Sequence, residues 1–165
     1  MRDRRPATEV EASALASGIR LRIIRLTYAE ALTNKEIAQR LARDPATTLH
    51  HVRKLVDTGF LAPQPARRGN RGAKEIPYLS TGKSWELSGE GDEALSEAML
   101  VAYLAEIAEL ARGELDQSRL VVRVAPEERR EFERRLTGLL DEFKDRSTPQ
   151  GTEQFAIYVA TYPSR

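Results

Sequence analysis

The stretch Thr33-Asn34-Lys35-Glu36-Ile37-Ala38-Gln39-Arg40-Leu41, followed after Ala42 and Arg43 by Asp44-Pro45-Ala46-Thr47-Thr48-Leu49-His50-His51-Val52-Arg53-Lys54-Leu55-Val56-Asp57-Thr58-Gly59, decides the fold. Its first part opens on a threonine with a glutamate three residues on, so each side chain can accept the other residue's orphan backbone amide. This predicts a short helix to about Leu41, with Ile37, Ala38 and Leu41 inward. Asp44-Pro45 predicts a second start. Aspartate accepts hydrogen bonds from free helix amides, and proline at the first helical position gives up a donor that would be unpaired anyway. The second helix runs to about Thr58 and stops at Gly59, a residue suited to a left-handed cap. Two short helices joined by so tight a turn are the helix-turn-helix outline.

On the N-terminal side, Leu15, Ile19, Leu21, Ile23, Ile24 and Leu26 are crowded among arginines between Ala7 and Glu30, which predicts two helices broken near Gly18. On the C-terminal side, the apolar, proline-bounded segment Phe60 to Pro65 is expected to pair with Trp85-Glu86-Leu87 as a hairpin. Pro77 would confine Ile76 to Leu79 to an edge. The loop of that hairpin holds Arg67-Arg68-Gly69-Asn70-Arg71-Gly72-Ala73-Lys74, a cationic wing tip.

From Gly91 to Arg112 the pattern is helical with two apolar stripes. One is Leu100, Leu104, Ile107 and Ala111; the other is Ala94, Ala98, Val101, Ala105 and Ala108. A helix with two apolar faces needs two partners, and the first stripe is expected to be the dimerisation face. Leu120 to Val124 reads as a strand, Pro126 opens a helix with Phe132, Leu136, Leu139, Leu140 and Phe143 on one side, and Phe155 to Thr161 reads as another strand. The expected class is therefore α+β. A winged helix-turn-helix DNA-binding domain covers residues 1–90, and the dimerisation helix with a β-α-β unit of right-handed crossover covers residues 91–165.

The 165 residues include no cysteine, which excludes disulfides, thiolate metal sites and thiol switches. Three arginines lie between Met1 and Arg5, but no apolar run follows them and no long apolar stretch occurs anywhere, so a cytoplasmic protein without membrane insertion is expected. A net charge of +1 hides an asymmetry: residues 1–84 carry +8 and residues 85–165 carry −7. The basic half suits a polyanion and the acidic half would repel one.

Turned at about 100° per residue, the helix from Pro45 to Thr58 groups Leu49, Val52 and Val56 as its core side. Thr47, His50, His51 and Lys54 then project on the far side, with Arg53 and Thr48 on the flanks. Hydroxyls and imidazoles can hydrogen-bond base edges or phosphates, while cations neutralise phosphates. The wing adds Arg67, Arg68, Asn70, Arg71 and Lys74, set among glycines that let the chain follow a phosphate backbone or enter a minor groove. Taken singly, a capped amphipathic helix is an ordinary solvated surface; its place between a tight turn and a cationic hairpin points to double-stranded DNA.

The run from Leu32 to Leu41, then Asp44 to Leu61, resembles the ArsR-type winged-helix bacterial regulators, in which a His-rich recognition helix is followed by a leucine, a glycine and an apolar pair. The resemblance spans roughly residues 10–90. It implies a homodimer, usually a repressor, with the second helix of the motif in the major groove, and it leaves room for a small-molecule effector. The missing cysteines depart from the metal-sensing members of that family.

Neither enzymatic nor metal chemistry is expected, and no cofactor. Gly82-Lys83-Ser84 imitates the end of a phosphate-binding loop, but the required earlier glycine is Pro77. His50 and His51 are adjacent, point about 100° apart on a helix and cannot chelate one ion. Glu127, Glu128, Glu131 and Glu133 alternate with Arg129, Arg130, Arg134 and Arg135 as a solvated, salt-bridged face. The alternative function is a winged helix that meets an acidic protein instead of DNA.

Overall fold

The computed structural model describes residues 4–69, 72–88, 92–146 and 153–164. Asn70, Arg71 and Gly91 lie outside the described residues. The chain divides into two compact units, Arg4–Ala111 and the segment from Arg112 on.

The first unit begins with strand β1 (Arg5–Pro6) and helices α1 (Glu9–Leu15) and α2 (Gly18–Leu26). Strand β2 (Leu32–Thr33) leads into α3 (Asn34–Arg40) and α4 (Pro45–Asp57). Then come β3 (Leu61–Pro63), β4 (Arg67–Arg68), β5 (Lys74–Glu75), β6 (Pro77–Ser80), a 3-10 turn over Lys83–Glu86, β7 (Leu87–Ser88) and α5 (Glu93–Ile107).

The starts and stops of α3 and α4 are those expected from the sequence, whereas α5 ends at Ile107, short of the expected Arg112. Thr33 Oγ1 accepts the Glu36 amide at 3.3 Å while Glu36 Oε2 accepts the Thr33 amide at 2.8 Å. The Asp44 carboxylate accepts the Thr47 amide at 2.9 Å, with Pro45 as the first helical residue. Helix α4 ends with Gly59 at φ +76°, where the Phe60 amide reaches the Leu55 carbonyl at 2.8 Å and the Gly59 amide reaches Val56 at 3.0 Å. The same pair of closing bonds ends α3, from Arg43 to Ala38 and from Ala42 to Gln39, but here the left-handed residue is Ala42, at φ +49°. An L side chain resists that conformation. Ala42→Gly is therefore expected to raise stability by about 0.5–1 kcal/mol and Gly59→Ala to lower it by about 1 kcal/mol, read as opposite shifts in the denaturant midpoint.

The wing differs from expectation in its partner. β3 pairs antiparallel with β6, Ala62 opposite Leu79, and β6 pairs on its other side with β2, giving the order β2-β6-β3. Pro77 thus opens the central strand. It can do so at the first position because it lacks only the donor, and its carbonyl still accepts the Gln64 amide at 2.8 Å. Beyond this hairpin, β4 and β5 extend the wing, with Arg67 opposite Glu75 and Arg68 opposite Lys74. Trp85 and Glu86 lie in the 3-10 turn, and Leu87 pairs in parallel with Arg5.

Ile23, Ile37, Val52, Leu55, Phe60 and Leu61 form the fully buried centre. Helix α5 joins it through Leu95, with Ala98 and Ala102 buried along the same face. A Cβ at Gly18 would stand 3.0 Å from Val101 Cγ1, so the glycine at the break between α1 and α2 allows their close approach to α5. Arg25 and Glu106 pair at 2.6 Å, and Arg22 and Glu109 at 2.5 Å, which tie α2 to the far end of α5.

The N-terminal segment is held by Glu11, 7% exposed, which accepts two bonds from Arg5 at 2.8 and 2.6 Å and one from Lys83 at 2.8 Å. These donors, with the Thr8 amide, hold its carboxyl well below the ordinary 4.5. A depressed carboxylate contributes stability that is complete above the unfolded value and drains away as pH falls below it. Wild type is expected to exceed Glu11→Gln in stability by about 2 kcal/mol at pH 7, the worth of charge-assisted hydrogen bonds. The gap should close as the pH falls below about 4.5, followed by denaturant unfolding at each pH.

The second unit corrects the expected β-α-β. Its helix α6 (Pro126–Lys144) forms behind Pro126 as anticipated, but Leu120–Val124 and Phe155–Thr161 are not strands. A strand exists only through the ladder it shares with a neighbour, and neither segment has one among the described residues. Leu120 is 82% exposed and Phe155 67%.

Candidate nucleic-acid interface

Helix α4 is fixed by three inward residues, Thr48, Val52 and Leu55, so its buried face is turned by about one residue from the expected Leu49, Val52 and Val56. Leu49 and Val56 are half-buried. Thr48, expected on a flank, is 1% exposed and donates its hydroxyl to the Asp44 carbonyl at 2.9 Å, which satisfies it inside the core. Its hydroxyl is therefore not offered to solvent.

The exposed line of α4 runs Thr47, His50, Arg53, at the spacing of one helix face. Lys54 is half-buried beside it. Thr47 Oγ1 donates to the Asp44 carboxylate at 3.2 Å and keeps its acceptor capacity outward. His51 is half-buried with its Nδ1 lacking a hydrogen-bond partner. Burial, then Arg20, His50 and Arg43, push its imidazole below the ordinary 6.5, so it is neutral at physiological pH. His50 is thus the exposed imidazole on this helix.

Two cross-links locate the parts of this face. The Asn34 amide donates to the Pro45 carbonyl at 2.9 Å, joining the start of α3 to the start of α4. Arg67 pairs with Glu36 at 2.5 Å and so fixes the base of the wing against α3. Arg67 is consequently neutralised, whereas Arg68 and Lys74 are exposed on the paired strands β4 and β5 with no ion pair among the described residues. Lys35 and Arg43, not singled out in the sequence, are also exposed at the start of α3 and in the turn. Their signal was positional: a cation at the second residue of a helix, and one just before an N-cap.

This is a tight two-helix turn on a helical base, followed by an antiparallel wing. Residues 15–64 match the model of a helix-turn-helix domain. The matched segment runs from the end of α1 through β3, so it contains α2, α3 and α4 and stops before the cationic part of the wing. No curated protein matches the chain.

Solved structures similar to it include reduced HlyU from Vibrio cholerae, at 19% identity over 58% of this chain and 84% of that one, with a TM-score of 0.38. A mutant of Lactococcus lactis ZitR is similar at 19% identity over 77% of this chain and 75% of that one, with a TM-score of 0.37. A mutant of S. aureus MepR bound to an oligodeoxyribonucleotide is similar at 17% identity, over 78% of each chain, with a TM-score of 0.36.

Among the described residues no group of three or more His, Asp or Glu side chains could hold a metal ion. No described helix is long and apolar enough to cross a membrane.

Proposed function

We propose that this chain binds double-stranded DNA in a sequence-dependent way, as a homodimeric transcriptional regulator of the ArsR-like winged-helix kind, acting as a repressor without chemistry of its own. The observation that carries the reading is the exposed line Thr47, His50 and Arg53 on α4, next to α3, to which the Arg67–Glu36 pair ties a wing whose Arg68 and Lys74 have no ion pair among the described residues. Helix α4 enters the major groove, where Thr47 and His50 read base edges and Arg53 and Lys54 meet phosphates. The wing follows the adjacent backbone, and the sequence adds Asn70 and Arg71 between its two strands as further contacts. Lys35 and Arg43 add backbone contacts.

The test is selection of bound fragments from a random duplex pool at two salt concentrations. A recovered consensus with affinity that falls steeply with salt supports the proposal. Salt-insensitive binding, or retention on an acidic protein in place of duplex, supports instead a winged helix used for protein contacts.

The homodimer rests on α5, where Leu100 and Leu104 are 45% and 51% exposed beside half-buried Ile107, with exposed Ala111 beyond the end of the helix. Because Leu104 faces outward, Leu104→Glu is expected to leave helicity unchanged and to raise the dimer dissociation constant by about a hundredfold or more. Sedimentation equilibrium with circular dichroism measures both. A small-molecule effector would act on this dimer, changing how the two recognition helices are held.

A further inference from the structure

The second unit presents a helix whose apolar side is largely exposed among the described residues, with Arg146 over the Phe143 ring at one end. Among the described residues from Arg112 on, no side chain is fully buried. A unit that small cannot hold together on half-covered contacts, so it draws on a surface outside itself. Its helix α6 carries Phe132, Leu136, Leu139 and Phe143 at successive spacings of four, three and four. That is the seam of a coiled coil. Phe132 is 56% exposed, Leu139 50% and Phe143 45%.

The charges beside the seam choose its occupant. Glu128, Arg135 and Glu142 line one edge, and Glu133 and Leu140 the other. Parallel pairing of two such helices would set Glu128 of one against Glu133 of the other, a like-charge contact. Antiparallel pairing sets Arg135 against Glu142, and two-fold symmetry makes that attractive contact twice. Arg135 has no ion pair among the described residues. The arginines that end the seam are already compensated within the helix, Arg129 by Glu133 at 2.9 Å and Arg146 by Glu142 at 2.5 Å.

We propose that α6 packs antiparallel against α6 of a second copy of this chain, Phe132 beside Phe143 and Leu136 beside Leu139, with reciprocal Arg135–Glu142 pairs. This contact is separate from the one assigned to α5 and does not depend on it.

The full-length chain tests it, and the absence of native cysteine makes introduced ones unique. Equal amounts of Leu136→Cys and Leu139→Cys chains are mixed and mildly oxidised. The mixed disulfide should predominate. Like-with-like products, or none, overturn the antiparallel pair. In parallel, Arg135→Glu or Glu142→Arg should weaken association by about tenfold, and the double exchange should restore it. These positions are exposed or flanking, so the helix itself is expected to persist. Each variant is also made on a Leu104→Glu background. Loss on charge reversal in both backgrounds supports the α6 contact whatever α5 does, whereas a double exchange no tighter than the single ones overturns it.

Discussion

Replacing Arg53, Arg68 and Lys74 together by alanine is expected to weaken binding to duplexes of every sequence by about a hundredfold near physiological salt, and to flatten the slope of log affinity against log salt by about three units. The three side chains are exposed and unpaired among the described residues, so their truncation removes charge without leaving a buried group unsatisfied. Alanine also favours the helix at position 53. His50→Ala and Thr47→Ala should act differently. They remove hydrogen bonds to base edges, costing about 1–3 kcal/mol of discrimination at one or two positions while the salt slope stays nearly constant. Thr48→Ala provides a contrast: it sits 1% exposed, so it should lower stability and leave sequence preference alone. Titrations of labelled duplexes at several salt concentrations measure all of this. A triple variant whose salt slope equals that of wild type would move the interface away from α4 and the wing.

The helix-turn-helix was readable because its limits are written in local chemistry. Thr33 with Glu36, Asp44 with Pro45, and Gly59 each act on amides within a few residues, so they work wherever the chain folds. What the sequence could not decide was non-local. The strand after α4 could close on either of two later segments, and the choice of Pro77–Ser80 turned on Gln64 reaching the Pro77 carbonyl and on β2 covering the other edge. The rotation of α4 by about one residue came from Thr48, a polar residue that enters the core because the Asp44 carbonyl satisfies it. Polar residues are read as outward by default, and that default fails where a local acceptor exists. The apolar segments flanking α6 carry a strand pattern, yet pattern supplies no partner, and neither has one among the described residues.

The second large effect follows from symmetry. A dimer closed through α5 about a two-fold axis presents two copies of α4, so the preferred site should be an inverted repeat with half-site centres roughly 34–36 Å apart, one turn of the duplex. Inserting five base pairs at its centre turns one half-site by about half a turn and moves it beyond reach of the second helix. Affinity should drop by about a hundredfold or more, to that of a single half-site, because the second subunit loses its base and phosphate contacts together. Inserting ten restores the facing but not the spacing, so only partial recovery is expected. The same insertion should have less effect on the Leu104→Glu variant, whose weakened α5 contact no longer fixes the spacing of the two α4 helices. Footprinting and affinity measurements on the three spacings, for both proteins, separate the cases. An asymmetric footprint in wild type that is indifferent to the five-base insertion would mean that one winged helix binds alone, and the symmetric reading of α5 would have to be abandoned.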